Sequence, residues 1–146
     1  MAEKSFLDRS AEYTYQELER LGNDPSKLDI PQRTVAILYS LQAIIDNGGF
    51  QYLFENDLPY LLPYAAVSDA YRRIGATQAA ERLDKAVSMF PFETPEVHQE
   101  KRLKFMESLD EHNEFFELGD EVCGDEKVWS ALEEYAKKNA ASFHVM

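Results

Sequence analysis

The sequence predicts an all-α fold, a single-domain bundle of about seven to eight helices around a buried central helix. Three observations carry this. Apolar residues recur at spacings of three and four along most of the chain, the mark of helices with one buried face. No run of alternating β-branched residues interrupts them, and Val and Ile are sparse outside the helical patterns. The third is the stretch Ile37 to Phe54, ILYSLQAIIDNGGFQYLF, whose first half carries Ile37, Leu38, Leu41, Ile44 and Ile45 with few polar breaks. A helix apolar on nearly all sides is buried. The 146 residues suit one domain, residues 1–146, with a core of its own.

Each element has a local reason. Ser5 caps a first helix, with Asp8 three residues on. Phe6, Leu7, Ala11, Tyr15, Leu18 and Leu21 form its stripe, and Gly22-Asn23-Asp24-Pro25 ends it. Ser26 to Ile30 connects to the central helix, which Pro31 opens, since a missing N–H costs nothing there. Asn47-Gly48-Gly49 stops that helix with residues that accept left-handed backbone. Phe50, Leu53 and Phe54 resume at once as a short helix. The four residues Asn47, Gly48, Gly49 and Phe50 therefore form a structural corner.

Glu55 to Pro59 reads as a turn, and Pro63 begins a helix to Ile74. Gly75 closes it, and a further helix carries Ala76, Ala79, Ala80, Leu83, Val87 and Phe90 on one face. Thr94-Pro95 reads as an N-cap and first helical residue, opening a helix to about Met106. Ser108-Leu109-Asp110-Glu111 has a capping-box pattern that restarts a helix through Leu109, Phe115, Phe116 and Leu118. Gly119 and Gly124 bracket an acidic loop. Val128, Leu132, Tyr135 and Ala136 mark the last helix, with Lys137 and Lys138 at its C-terminal end, where cations are favoured.

Composition narrows the function classes. With 45% hydrophobic and 12% aromatic residues, wholesale disorder is excluded. The net charge of −12 and pI near 4.6 repel nucleic acid and anionic membranes and favour basic partners. The same charge also aids solubility. The single cysteine, Cys123, cannot staple the domain internally, which fits a reducing cytoplasm. The N-terminus, MAEKSFLDRSAEY, has no signal-peptide core. The most apolar run, Leu58 to Val67, is too short for a membrane helix and contains Pro59 and Pro63. A cytoplasmic location is expected.

No catalytic, metal or cofactor site is legible, and the chain does not read as an enzyme. His98, His112 and His144 each lack a second ligand three or four positions away, which a helical metal site needs. Cys123 lies in the acidic loop Asp120 to Glu126, where negative charge disfavours a thiolate. That loop lacks EF-hand spacing, and Asn47-Gly48-Gly49 is not followed by a phosphate-loop motif. The helical hairpin Pro63 to Phe90 is close to neutral in its second helix, so it lacks the basic footprint of a duplex reader.

The acid is unevenly distributed. Residues 93–134 hold 14 acids against 4 bases, whereas residues 1–92 hold 13 against 9. Within the former, Glu107, Asp110, Glu114, Glu117 and Glu121 are spaced three, four, three and four. On one continuous helix they share a face, and at about 1.5 Å rise per residue they recur about every 5 Å. One DNA strand carries a charge every ~3.4 Å, a density of the same order. A solvated helix face explains the same periodicity, and both Ser108 and Gly119 threaten continuity.

A resemblance adds to this reading. LYSLQAIIDNGGFQYLFEN at 38–56 and YRRIGATQAAERLDKAVSMFP at 71–91, with the Leu109-Asp110 and Tyr135 context downstream, resemble the bacterial family typified by a DNA-mimic protein. That family was long catalogued as a domain of unknown function, and the family-like core spans about residues 36–139. The resemblance implies an all-helical fold, a homodimer and an acidic surface that occupies a DNA-binding transcriptional regulator. Fold does not fix function, so two alternatives stand beside it. One is an immunity or antitoxin-like protein that masks a toxin with the same acidic face. The other is an interaction domain whose acidity is incidental. The expected partner is a basic, DNA-binding protein, with no direct binding to nucleic acid or membrane.

Overall fold

The computed structural model describes residues 4–144, apart from the side chain at position 61. These residues form seven α-helices and four single-turn 3₁₀ segments. Helix α1 spans Phe6–Arg20 and α2 spans Ile30–Glu55. The hairpin pair is α3, Tyr64–Arg73, and α4, Thr77–Ser88. The acidic third contains α5, Gln99–Glu107, α6, Glu114–Asp120, and α7, Glu126–Lys138. Helix α2 is the axis, packing against α1, α3, α5, α6 and α7.

Local chemistry starts the first two helices. Ser5 Oγ accepts the Asp8 amide at 3.0 Å, and the Asp8 carboxylate accepts the Ser5 amide, a reciprocal capping box. Asp29 and Gln32 repeat that box at the start of α2, one residue ahead of Pro31. The core runs along α2 through Val35, Leu38, Leu41, Ile45, Phe50, Leu53 and Phe54, all nearly inaccessible. Around Phe54 the rings of Phe50, Tyr64, Phe90 and Phe115 lie with centroids 5.0–5.9 Å away. Tilted and edge-on aromatic contacts of this kind contribute about 0.5–1.5 kcal/mol each beyond area burial. They join α2 to α3, α6 and the segment after α4.

The corner is a kink between two helical stretches. The backbone leaves helical angles at Gly48 (φ −161°, ψ 17°) and Gly49 (φ 67°, ψ −163°), and the helix resumes from Phe50. Gly49 is outside the left-handed helical region expected for a capping residue, which has ψ near about +47°. It occupies a region essentially reserved for glycine. At Gly48 a methyl group would lie 2.7 Å from Tyr52 Cβ.

Three expectations in the acidic third give way to tertiary context. Thr94 makes no side-chain cap and adopts φ 47°. Pro95–Val97 is a 3₁₀ turn, and α5 begins only at Gln99. Ser108 terminates α5 instead of starting a helix, its hydroxyl donating to the Phe105 carbonyl at 2.6 Å. The restart comes at Asn113, whose side chain accepts the Phe115 amide at 2.8 Å. Gly119 lies inside α6 and is buried. A Cβ there would sit 2.7 Å from the Phe50 amide nitrogen and 2.8 Å from its ring, so this glycine lets α6 press against the kink of α2.

Gly119→Ala is expected to destabilise the protein by about 1–3 kcal/mol through overpacking, although alanine favours the helix by up to about 1 kcal/mol. Urea denaturation with an unchanged slope and a lowered midpoint is the expected result. A raised midpoint would show that α6 and α2 have room to separate.

Candidate partner-binding surface

Helix α6 has only seven residues, too short to persist without tertiary support. Its support comes from buried Phe115 and Gly119 on one side and a polar lock beyond its C-terminus. The lock centres on Asp46 of α2. One Asp46 carboxylate oxygen accepts the Gly124 amide at 2.6 Å, and the other accepts Trp129 Nε1–H at 2.7 Å. The thiol of Cys123 donates to the Asp46 carbonyl at 3.3 Å, which gives it a structural place in the loop. Fully buried Gln42 donates to Asp46 at 2.8 Å and to the Val122 carbonyl at 2.9 Å. Tyr71 donates to Gln42 Oε1 at 2.5 Å, and burial pushes the Tyr71 hydroxyl pKa well up. The acidic loop is thus pinned to the central helix. Sequence reading missed Asp46 and Gln42, though two polar groups four apart in the most apolar helix are the signal that finds them.

Helix α5 is held by Arg102, whose side chain is completely buried. Its guanidinium donates to the carbonyls of Phe54 (2.9 Å), Pro95 (2.7 Å) and Asn56 (3.2 Å), and to Asp57 Oδ1 (2.8 Å). It serves the orphan carbonyls at the C-terminus of α2. One of the four bases of the acidic third is therefore internal, leaving Lys101, Lys104 and Lys127 exposed.

All five acids of the 107–121 series are exposed, but they do not lie along one helix. Glu107 ends α5, Asp110 sits in the connecting turn, Glu114 and Glu117 are in the first turn of α6, and Glu121 caps its end. They divide by neighbour. Glu114 pairs with Lys85 and Glu121 with Arg82, both bases coming from α4. Among the described residues no cation reaches ion-pair distance of Glu107, Asp110 or Glu117. Glu117 shares with Glu111 and Asp120 an open groove of about 450 Å³, floored by Met106, Leu109 and Phe116.

The histidines go to separate contacts. His98 meets the Phe92 ring edge-on, His112 lies beside Glu111 and His144 beside Tyr13. Among the described residues no group of three or more His, Cys, Asp or Glu is arranged to hold a metal ion. No described helix is long and apolar enough to cross a membrane.

Fold and surface together define an all-helical acidic protein whose excess charge lies on the helices and turns of residues 93–134. Residues 26–139 match the family model described as DMP19-like protein, and the chain belongs to that family. No curated protein and no solved structure matches it.

Proposed function

We propose that the protein binds a basic, DNA-binding partner, its carboxylates taking the places of DNA phosphates. The observation that carries this reading is the group of exposed acids on α5, α6 and the turn between them that no cation among the described residues pairs with, Glu107, Asp110 and Glu117. Glu107 and Glu117 stand on helices held against α2 by Arg102, Gly119 and Asp46, with Asp110 in the turn between those helices, so the spacing of the two helix-borne acids is set before a partner arrives. Pre-fixed charges lose little freedom on binding. Membership in the DMP19-like family supports the same reading.

The division by neighbour sharpens the test. Glu114 and Glu121 already interact with Lys85 and Arg82, so their fields are partly cancelled. Converting Glu107, Asp110 and Glu117 to amides is expected to lower partner affinity about tenfold, roughly 0.5 kcal/mol per exposed charge. Converting Glu114 and Glu121 is expected to cost about threefold or less. The loss should appear chiefly in association rate and shrink as salt rises. The measurement is a titration of the partner, captured from the source cell at low salt, by wild type and both variants at two salt concentrations, with DNA as competitor. Equal affinities without salt dependence would exclude this surface as the mimic.

A further inference from the structure

Away from the acidic face, α1, α2 and α7 enclose an open pocket of about 400 Å³. Its walls include Asp8, Tyr39, Trp129 and Glu133, with Leu7 and Ala43 between them. The two rings meet at 88° with centroids 5.9 Å apart, forming a corner with two aromatic walls. Both are held. Tyr39 donates its hydroxyl to Asp8 Oδ1 at 2.8 Å, and Trp129 donates Nε1–H to Asp46. Asp8 is itself fixed by the capping box with Ser5. The Tyr39 hydrogen bond holds the Asp8 carboxyl below its usual range, and burial pushes Tyr39 up to about 12.

Among the described residues no lysine or arginine lines the pocket. Lys4 is engaged by Glu12, and Lys137 approaches Glu133 only at 3.8 Å from an exposed position. The charged and aromatic part of the lining is therefore two carboxylates and two rings, with Ser5 and Ser130 beside them. That set repels anions. Its two carboxylates belong to no group of three or more His, Cys, Asp or Glu arranged to hold a metal ion among the described residues. It suits a soft organic cation, whose charge is attracted by aromatic faces and by carboxylates together.

We propose that this pocket is a binding site for a guanidinium or alkylammonium group. The group is either an arginine or lysine side chain of another protein or a free organic amine. It enters between the Tyr39–Trp129 corner and the two carboxylates.

Trp129 is the only tryptophan in the chain, so its indole N–H resonance reports on the pocket without assignment ambiguity. The protein is titrated with ethylguanidinium, tetramethylammonium and, as the neutral shape control, neopentyl alcohol. A saturable shift with the cations and none with the alcohol is expected. Glu133→Gln, which leaves the α1 cap and both rings in place, is expected to weaken cation binding about three- to fivefold, the range of one exposed charge pair. Tyr39→Leu, which removes one wall, is expected to weaken it about fivefold or more. N-Acetylarginine amide separates the sources. Saturation at or below the ethylguanidinium concentration assigns a protein side chain, and binding weaker by about an order of magnitude assigns a free cation. The proposal is overturned by an equal response to the alcohol, by no saturable shift with any cation, or by undiminished affinity in Glu133→Gln. None of these outcomes depends on the α5–α6 acids.

Discussion

Arg102→Met is expected to destabilise the protein by about 3–5 kcal/mol, the range for removing one partner from a buried charged network. The methionine fills much of the volume but donates nothing. The carbonyls of Phe54 and Pro95 lose the donors that lie 2.9 and 2.7 Å away, and each buried acceptor left unpaired costs about 1–3 kcal/mol. The ion pair itself is the smaller part. Asp57 is 59% exposed, so Asp57→Asn is expected to cost below about 1 kcal/mol. Arg102→Lys should recover only part of the loss, because one ammonium cannot reproduce a planar fork aimed at several acceptors. Urea denaturation of the three variants decides the matter. If Asp57→Asn were as damaging as Arg102→Met, the salt bridge and not the helix-end carbonyls would be the reason for burying an arginine.

Gly49→Val is expected to cost roughly 3 kcal/mol, the upper end for a residue forced into a sparsely allowed conformation. The cause is backbone alone. A Cβ built at Gly49 meets nothing within 4 Å, so no side-chain clash contributes. At φ 67° and ψ −163° the valine would have to unwind the kink that aims Phe50, Leu53 and Phe54 into the core. Asparagine gives the discriminating comparison. It tolerates left-handed helical angles but has no refuge at this ψ, so Gly49→Asn should be nearly as damaging as Gly49→Ala. Thermal unfolding reads the result, with the valine variant melting about 10 °C lower at ~2–4 °C per kcal/mol. A melt within a degree or so of wild type would mean that the kink can relax without loss.

Both variants act on residues of different legibility. Gly49 stood out in the sequence because Asn-Gly-Gly breaks an apolar helix. Its conformation did not, since a glycine pair reads as a helix stop whether or not the hydrogen bonds resume beyond it. Nothing in the sequence sets Arg102 apart from the exposed Lys101 and Lys104 of the same helix, and its burial follows from acceptors such as Phe54 O, 48 positions away. Thr94-Pro95 and Ser108 to Glu111 were good local start signals that lost to packing. The chain turns at both places to deliver Pro95 to Arg102 and Phe115 to the Phe54 cluster. In the candidate surface, exposure of all five acids followed from their types and spacing. Their division into cation-paired and unpaired groups did not.

By itself the sequence determined the all-helical class, the burial of α2, the cap at Ser5 and the concentration of acid in the last third. These depend on residues a few positions apart, through side-chain period, hydrogen bonding to the adjacent backbone and formal charge, and neighbours in the chain suffice to specify them. The tertiary structure alone decided that Lys85 and Arg82 meet Glu114 and Glu121, that Gly119 must be small because Phe50 lies against it, and that Asp46 pins the loop at Gly124 and Trp129. Those contacts join residues 29 to 83 positions apart. Their partners are chosen by how the helices pack around α2, and a charge or a missing Cβ gains its meaning only when packing supplies the group opposite.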